Sequence, residues 1–253
     1  MAGRPVLRIA AALVGAFCLV AATTSAAATV ATTRGPANGT AYSAGVPEPG
    51  SSERAWKAWA AADRRAAERT DWKAEAASRG CVLTAVEVVQ EVDPAYNRAM
   101  GAPADLVTTR VDSTEDCSGS PAMAQAEAQA EAGTRASASA DAGVLAVPGG
   151  SRCATTSGPG TICISKGSGR ITTSWAYRGS GSVSGFLRIY LISSGSSGCP
   201  TGSTFHTGPS STWSSGQTRS TSKTQTQNGA YSTHIWKKVT VGHSDWGSTC
   251  GVL

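Results

Sequence analysis

Three histidines and one aspartate in the C-terminal part of the chain could take part in acid–base chemistry. They are His206, His234, His243 and Asp245. Imidazole and carboxylate groups act as general acids and bases when they lie within hydrogen-bond reach of each other and of a substrate. On a strand, the side chains of His243 and Asp245 would share a face, because successive side chains alternate. One hypothesis is therefore a small secreted hydrolase that uses His234 or His243.

The scarcity of carboxylates excludes several other chemistries from this region. Between Ala146 and Leu253, Asp245 is the one acid against nine Lys and Arg residues, a net charge of +8. Two-carboxylate glycoside hydrolysis and an oxygen-ligated calcium site both need more acidic residues than this. A G-x-S-x-G nucleophile motif is missing from the sequence, and the histidine spacing does not match a helical metal pair. The sequence therefore assigns no catalytic residue, no metal ligand and no cofactor.

Basic and aromatic residues alternate with apolar ones in two segments of this region. Leu187, Ile189 and Leu191 alternate with Phe186, Arg188 and Tyr190, and Tyr231 and Ile235 alternate with His234, Trp236 and Lys238. Aromatic rings pack on sugars or bases, and cations attract phosphate. The predicted binding residues are Arg188, Tyr190, His234, Trp236, Lys237 and Lys238. In the alternative interpretation, Trp236 and Tyr190 only cover a thin core.

The elements that must position these residues are predicted to be strands. Residues 151–253 form a basic all-β domain, with candidate strands at 161–165, 170–178, 183–193, 217–227, 230–241 and 248–252. Asn228-Gly229 predicts a hairpin between the fourth and fifth of these strands. Short strands at this spacing indicate a small, disulfide-stapled β-sandwich or barrel.

The preceding part of the chain is acidic and differs in pattern. Residues 29–145 carry a net charge of −5. Residues 29–50 are predicted to be a disordered lead-in, and residues 51–117 a small α+β unit with a helix over 51–79 and strands over 82–92 and 104–111. Residues 118–150, rich in Ala, Ser, Gln and Gly, are predicted to be a linker.

Residues 1–28 resemble a secretory signal peptide. Arg4 and Arg8 precede an apolar stretch, and Ala26-Ala27-Ala28 supplies small residues for cleavage. Cleavage would remove one of the seven cysteines and leave six, which in an exported chain indicate three disulfides. The cysteines concerned are Cys81, Cys117, Cys153, Cys163, Cys199 and Cys250. We favour Cys81–Cys117, Cys153–Cys163 and Cys199–Cys250, while Cys153–Cys250 with Cys163–Cys199 is the main alternative.

The composition is similar to that of exported proteins of GC-rich bacteria. The leading hypothesis is a secreted, non-catalytic protein whose basic β domain associates with the cell envelope or another anionic polymer. The alternative is a secreted antagonist, either a bacteriocin-like toxin or an inhibitor of an extracellular enzyme. The expected partners are an anionic cell-wall polymer or an extracellular protein, with nucleic acid less favoured and no membrane span in the mature chain.

Overall fold

The computed structural model describes Ser43 and residues 45–136 and 146–253, with the backbone alone given for residues 130–136. The predicted signal peptide and most of the predicted lead-in lie outside these residues. The helices are α1 (Glu53–Arg69), α2 (Trp72–Ser78), α3 (Pro94–Met100) and α4 (Pro121–Ala136). The strands are β1 (Val82–Val92), β2 (Val107–Asp116), β3 (Arg152–Thr155), β4 (Gly160–Gly167), β5 (Arg170–Tyr177), β6 (Ser182–Ile192), β7 (Ser203–Thr207), β8 (Ser211–Ser214), β9 (Thr218–Thr224), β10 (Ala230–Lys238) and β11 (His243–Val252).

Two antiparallel sheets pack face to face. One has the strand order β1-β2-β9-β5-β4-β3, and the other has the order β11-β10-β6-β7 with β8 joined to β6. Ile164 and Ile171 of the first sheet meet Ile189, Phe205 and Tyr231 of the second in a shared core. The prediction of helices followed by a disulfide-stapled β fold is confirmed, and the arrangement is a sandwich rather than a closed barrel.

The segments predicted as separate units contribute strands to the same sheet. β2 is hydrogen-bonded to β9 over the register from Val111↔Ser222 to Glu115↔Thr218. The pairing joins residues more than a hundred positions apart, and local sequence patterns carry no signal for such a contact. Within the predicted linker, α4 forms and buries Met123 and Ala126.

Two local predictions differ from the structure. The helix predicted over 51–79 is divided into α1 and α2, because Thr70 leaves the helical conformation and the Asp71 side chain then caps α2 at Ala74 N. The hairpin predicted at Asn228-Gly229 is wrong, since β9 and β10 lie in different sheets and the turn connects the two layers.

The three disulfides are Cys81–Cys117, Cys153–Cys163 and Cys199–Cys250, which are the favoured pairs. Cys153 and Cys163 are cross-strand neighbours in β3 and β4. Within the described part of the chain, no helix combines the length and apolar character needed to cross a membrane.

Candidate functional site

The outward side of the β6–β10 pair gathers most of the predicted binding residues. In the antiparallel register, His234 lies opposite Arg188, Trp236 opposite Phe186, and Ser232 opposite Tyr190. The alternate residues of the same strands, such as Leu187 and Ile235, are buried between the two sheets. We call the surface formed by Phe186, Arg188, Tyr190, His234 and Trp236 the aromatic–basic face.

The side chains of the aromatic–basic face contact one another. The Arg188 guanidinium lies 4.8 Å from the centre of the Phe186 ring and 6.0 Å from that of Tyr190. The Tyr190 and His234 rings meet edge to face at 5.3 Å, and the His234 and Trp236 rings stack with centroids 6.1 Å apart. The guanidinium is thereby held in place against aromatic rings, which attract a cation through their quadrupole.

His234 forms a close pair with the neighbouring strand. Its Nδ1 lies 2.7 Å from Oδ2 of Asp245 in β11. A carboxylate can only accept a hydrogen bond, so Nδ1 carries a proton, and in the neutral form of the imidazole Nε2 presents a lone pair. Nε2 of His234 and Nε1 of Trp236 are both buried, and neither has a hydrogen-bond partner among the described residues.

The face is less open than the alternation of residues predicts. Tyr190 and Phe186 retain only 4% and 8% of their exposure, whereas Arg188 and Trp236 are half-buried. Pro200, in the loop between β6 and β7, lies over this side of the sheet, where its carbonyl accepts a hydrogen bond from Ser232 Oγ at 2.6 Å. Tyr190 therefore supports the surface from within, as the core-covering interpretation expects, and Arg188 and Trp236 supply its accessible groups.

Two predicted binding residues lie elsewhere. Lys237 points to the opposite face of β10, where its Nζ lies 4.3 Å from the centre of the Trp246 ring. Lys238 is exposed at the end of β10, opposite His243. His243 contacts the Phe186 ring at 4.8 Å, so it borders the aromatic–basic face.

Three of the nine basic residues of 146–253 are paired with acidic residues of the preceding segment. Arg170 is paired with Asp63 at 3.1 Å, Lys223 with Glu91 at 3.1 Å, and Arg178 with Glu127 at 3.5 Å. Local sequence patterns carry no signal for these pairs, because the acidic partners lie in the segment before residue 146. The charge difference between the two segments thus stabilises their contact, and the accessible cations beside Phe186 and Trp236 are Arg188 and Lys238.

His206 belongs to a different, buried cluster. Its Nδ1 lies 2.6 Å from Asp93 Oδ2, and its Nε2 lies 3.1 Å from Thr221 Oγ1. Burial, together with the nearby Lys223 charge, lowers the pKa of His206 to about 4 despite the adjacent Asp93 carboxylate. The ring is therefore neutral at physiological pH and acts as a hydrogen-bonded link between α3, β7 and β9.

Glu91, Asp93 and His206 bring possible metal ligands within 4.8 Å of one another. Two cations already contact one of these ligands, however: Arg110 pairs with Glu91, and Lys223 Nζ lies 3.1 Å from the same carboxylate. A metal ion here would be placed against two positive charges. The geometry is that of a buried ion-pair network.

No family model, curated protein or solved structure gives a match to this chain.

Proposed function

We propose that this protein is exported and binds an anionic polymer of the cell envelope, without catalysis, through the aromatic–basic face. The observation that carries the proposal is the position of Arg188 between the Phe186 and Tyr190 rings, on the side of the sheet that faces away from the core. Its side chain is half-buried and its Nε donates to Thr207 Oγ1 at 2.9 Å, which fixes the guanidinium plane.

A guanidinium held in this way is suited to phosphate and carboxylate groups. Its planar fork matches two oxygens of one anionic group, and little side-chain entropy remains to be lost on binding. The exposed Lys238 adds a second positive charge beyond Trp236 along the same strand. Binding of this kind weakens with salt, because exposed charges are screened over about 8 to 10 Å at physiological ionic strength.

The three disulfides support the choice of an extracellular polymer. Disulfides persist in oxidising compartments outside the cytosol. In a walled bacterium, the polymers that an exported protein meets there include the polyol phosphates of the wall.

The test compares two substitutions in the chain from residue 29 onward. Arg188→Gln removes the charge from the aromatic–basic face, whereas Lys237→Gln removes one from the opposite side of the adjacent strand. Sedimentation with purified cell walls over a salt series should show that Arg188→Gln weakens binding by about 10- to 100-fold, the range for a hydrogen bond to a charged group. Lys237→Gln should leave it near the unmodified value.

Two outcomes would contradict the proposal. The first is an absence of binding by the unmodified chain at low salt. The second is an equal loss of binding in the two variants, because this would mean that net charge acts without any defined surface. Melting temperatures of both variants, measured in parallel, confirm that each remains folded.

A further inference from the structure

Two buried ring nitrogens of the aromatic–basic face lack hydrogen-bond partners among the described residues, and their chemistry indicates which groups a ligand would have to supply. The His234 and Trp236 rings are stacked at an interplanar angle of 20°, and each has one buried ring nitrogen without a partner among the described residues. The two atoms differ in character. His234 Nε2 accepts a hydrogen bond while Asp245 holds the proton on Nδ1, whereas the indole Nε1–H of Trp236 can only donate.

We infer that the aromatic–basic face selects phosphodiester polymers that carry a free hydroxyl next to the phosphate, as polyol phosphates do. This inference rests on the proposed function. The hydroxyl donates to His234 Nε2, and the phosphate oxygens accept from Trp236 Nε1–H and from Arg188, which lies directly across from His234 in the register. One repeat of the polymer thus supplies a donor, an acceptor and a negative charge.

The argument depends on the penalty for unpaired buried groups. A buried donor or acceptor without a partner lowers stability, and a ligand that supplies the partner regains this free energy on binding. A polymer such as polyphosphate offers acceptors only, so it pairs the Trp236 indole and leaves His234 Nε2 unpaired. Since both atoms are shielded from solvent, the ligand reaches them when the half-buried Trp236 ring shifts.

The same face is poorly suited to RNA, which also has hydroxyls beside its phosphates. Sequence-independent binding of single strands uses aromatic rings whose flat surfaces are open to the bases. Here the Tyr190 ring is 4% exposed and meets its neighbour edge to face, and the Trp236 ring is stacked on His234. We therefore favour a polyol phosphate, and RNA becomes an outcome of the test.

The experiment is a calorimetric titration of the chain from residue 29 onward with three polymers of matched charge in mildly alkaline buffer. The polymers are poly(glycerol phosphate) with free hydroxyls, inorganic polyphosphate and single-stranded RNA. We expect poly(glycerol phosphate) to bind about tenfold more tightly than polyphosphate, the effect of about 1.4 kcal/mol that one additional hydrogen bond gives. His234→Phe should make the two affinities equal, and Arg188→Gln should weaken both.

The indole N–H resonance of Trp236 gives a second measurement that needs no change to His234. It should shift when poly(glycerol phosphate) is added, and Trp236→Phe identifies it among the resonances of the seven tryptophans. If the unmodified chain binds poly(glycerol phosphate) and polyphosphate equally, and binding still depends on Arg188, the selectivity is overturned. The proposed function would then remain in place. Tighter binding of RNA would overturn the choice of polymer, and absence of all binding would remove the proposed function itself.

Discussion

Replacement of Asp63 by Asn tests whether buried ion pairs hold α1 against the sandwich. The Asp63 and Arg170 side chains are only 7% and 4% exposed, and their closest atoms, Oδ1 and Nη1, are 3.1 Å apart. The other Arg170 donors bond to the hydroxyls of Ser222 and Thr224 and to the carbonyls of Thr109 and Ser222. The guanidinium is thus fully hydrogen-bonded, and the Asp63 carboxylate supplies the negative charge that balances it.

Asp63→Asn keeps the size of the side chain and leaves the Arg170 charge buried without compensation. Burial already lowers the pKa of Arg170, and Asp63 opposes that shift, so the charge is stabilised chiefly by this carboxylate. Removing one member of a buried ion pair costs about 3–5 kcal/mol. For a domain of this size, that corresponds to a melting temperature lower by roughly 6–20 °C.

Glu53→Gln is the matched control, because it neutralises an acidic residue on the same helix. Glu53 forms an ion pair with Lys57, and the two side chains are 63% and 70% exposed. Solvent screens an exposed helical pair of this kind, so its loss should change stability little. Thermal unfolding of both variants with intact disulfides, followed by circular dichroism, gives the comparison. If Asp63→Asn lowers the melting temperature no more than Glu53→Gln does, the buried pair does not hold the helix and the reasoning fails.

Two further predictions concern a titrating group and a close contact. Because the pKa of His206 falls from 6.5 to about 4 in the native state, the unfolded chain binds more protons between these pH values, and the native state loses stability as the pH falls through this range. His206→Gln should remove this part of the pH dependence, which urea unfolding of the variant and the unmodified chain would measure. Urea midpoints that change in parallel in the two proteins from pH 6.5 to pH 4 would contradict the prediction. A Cβ at Gly158 would lie 2.1 Å from Cε3 of Trp246, so Gly158→Ala should cost about 1–3 kcal/mol. Gly229→Ala adds a Cβ with no atom within 4 Å, and a similar urea midpoint for the two alanine variants would show that Trp246 moves aside without cost.

Local patterns in the sequence predict several strands well, whereas β2 and β11 were each predicted over only half of their length. The strand predicted over residues 82–92 coincides with β1, and the alternation in residues 183–193 assigns Leu187 and Ile189 to the core, as observed. β7 and β8 were not predicted, because Ser203–Thr207 and Ser211–Ser214 are short and contain few apolar residues. Their stability comes from pairing with β6, a contact that local sequence does not show.

The candidate site is also predictable only in part, because local patterns describe single strands and not the pairing between strands. Alternation indicates that His234 and Trp236 share a side, but it cannot show that β6 lies beside β10 with Arg188 opposite His234. Lys237 lies on the other side, since its odd position in the strand places it with the core residues. Asp245, paired in the sequence analysis with His243, instead contacts His234, because the β10–β11 hairpin brings the two strands together with a bulge.

The pairing of β2 with β9 joins the part of the chain before residues 137–145 to the part after them. Each of the three disulfides joins cysteines that lie on the same side of residues 137–145, so among the described residues no disulfide connects the two halves. A cut within those residues would leave halves held together by the β2–β9 register, the Asp63–Arg170 pair and the packing of Trp56 in the shared core. Such halves would behave as a split protein: each could be produced alone with its own disulfides intact, and mixing them would restore the six-stranded sheet by fragment complementation.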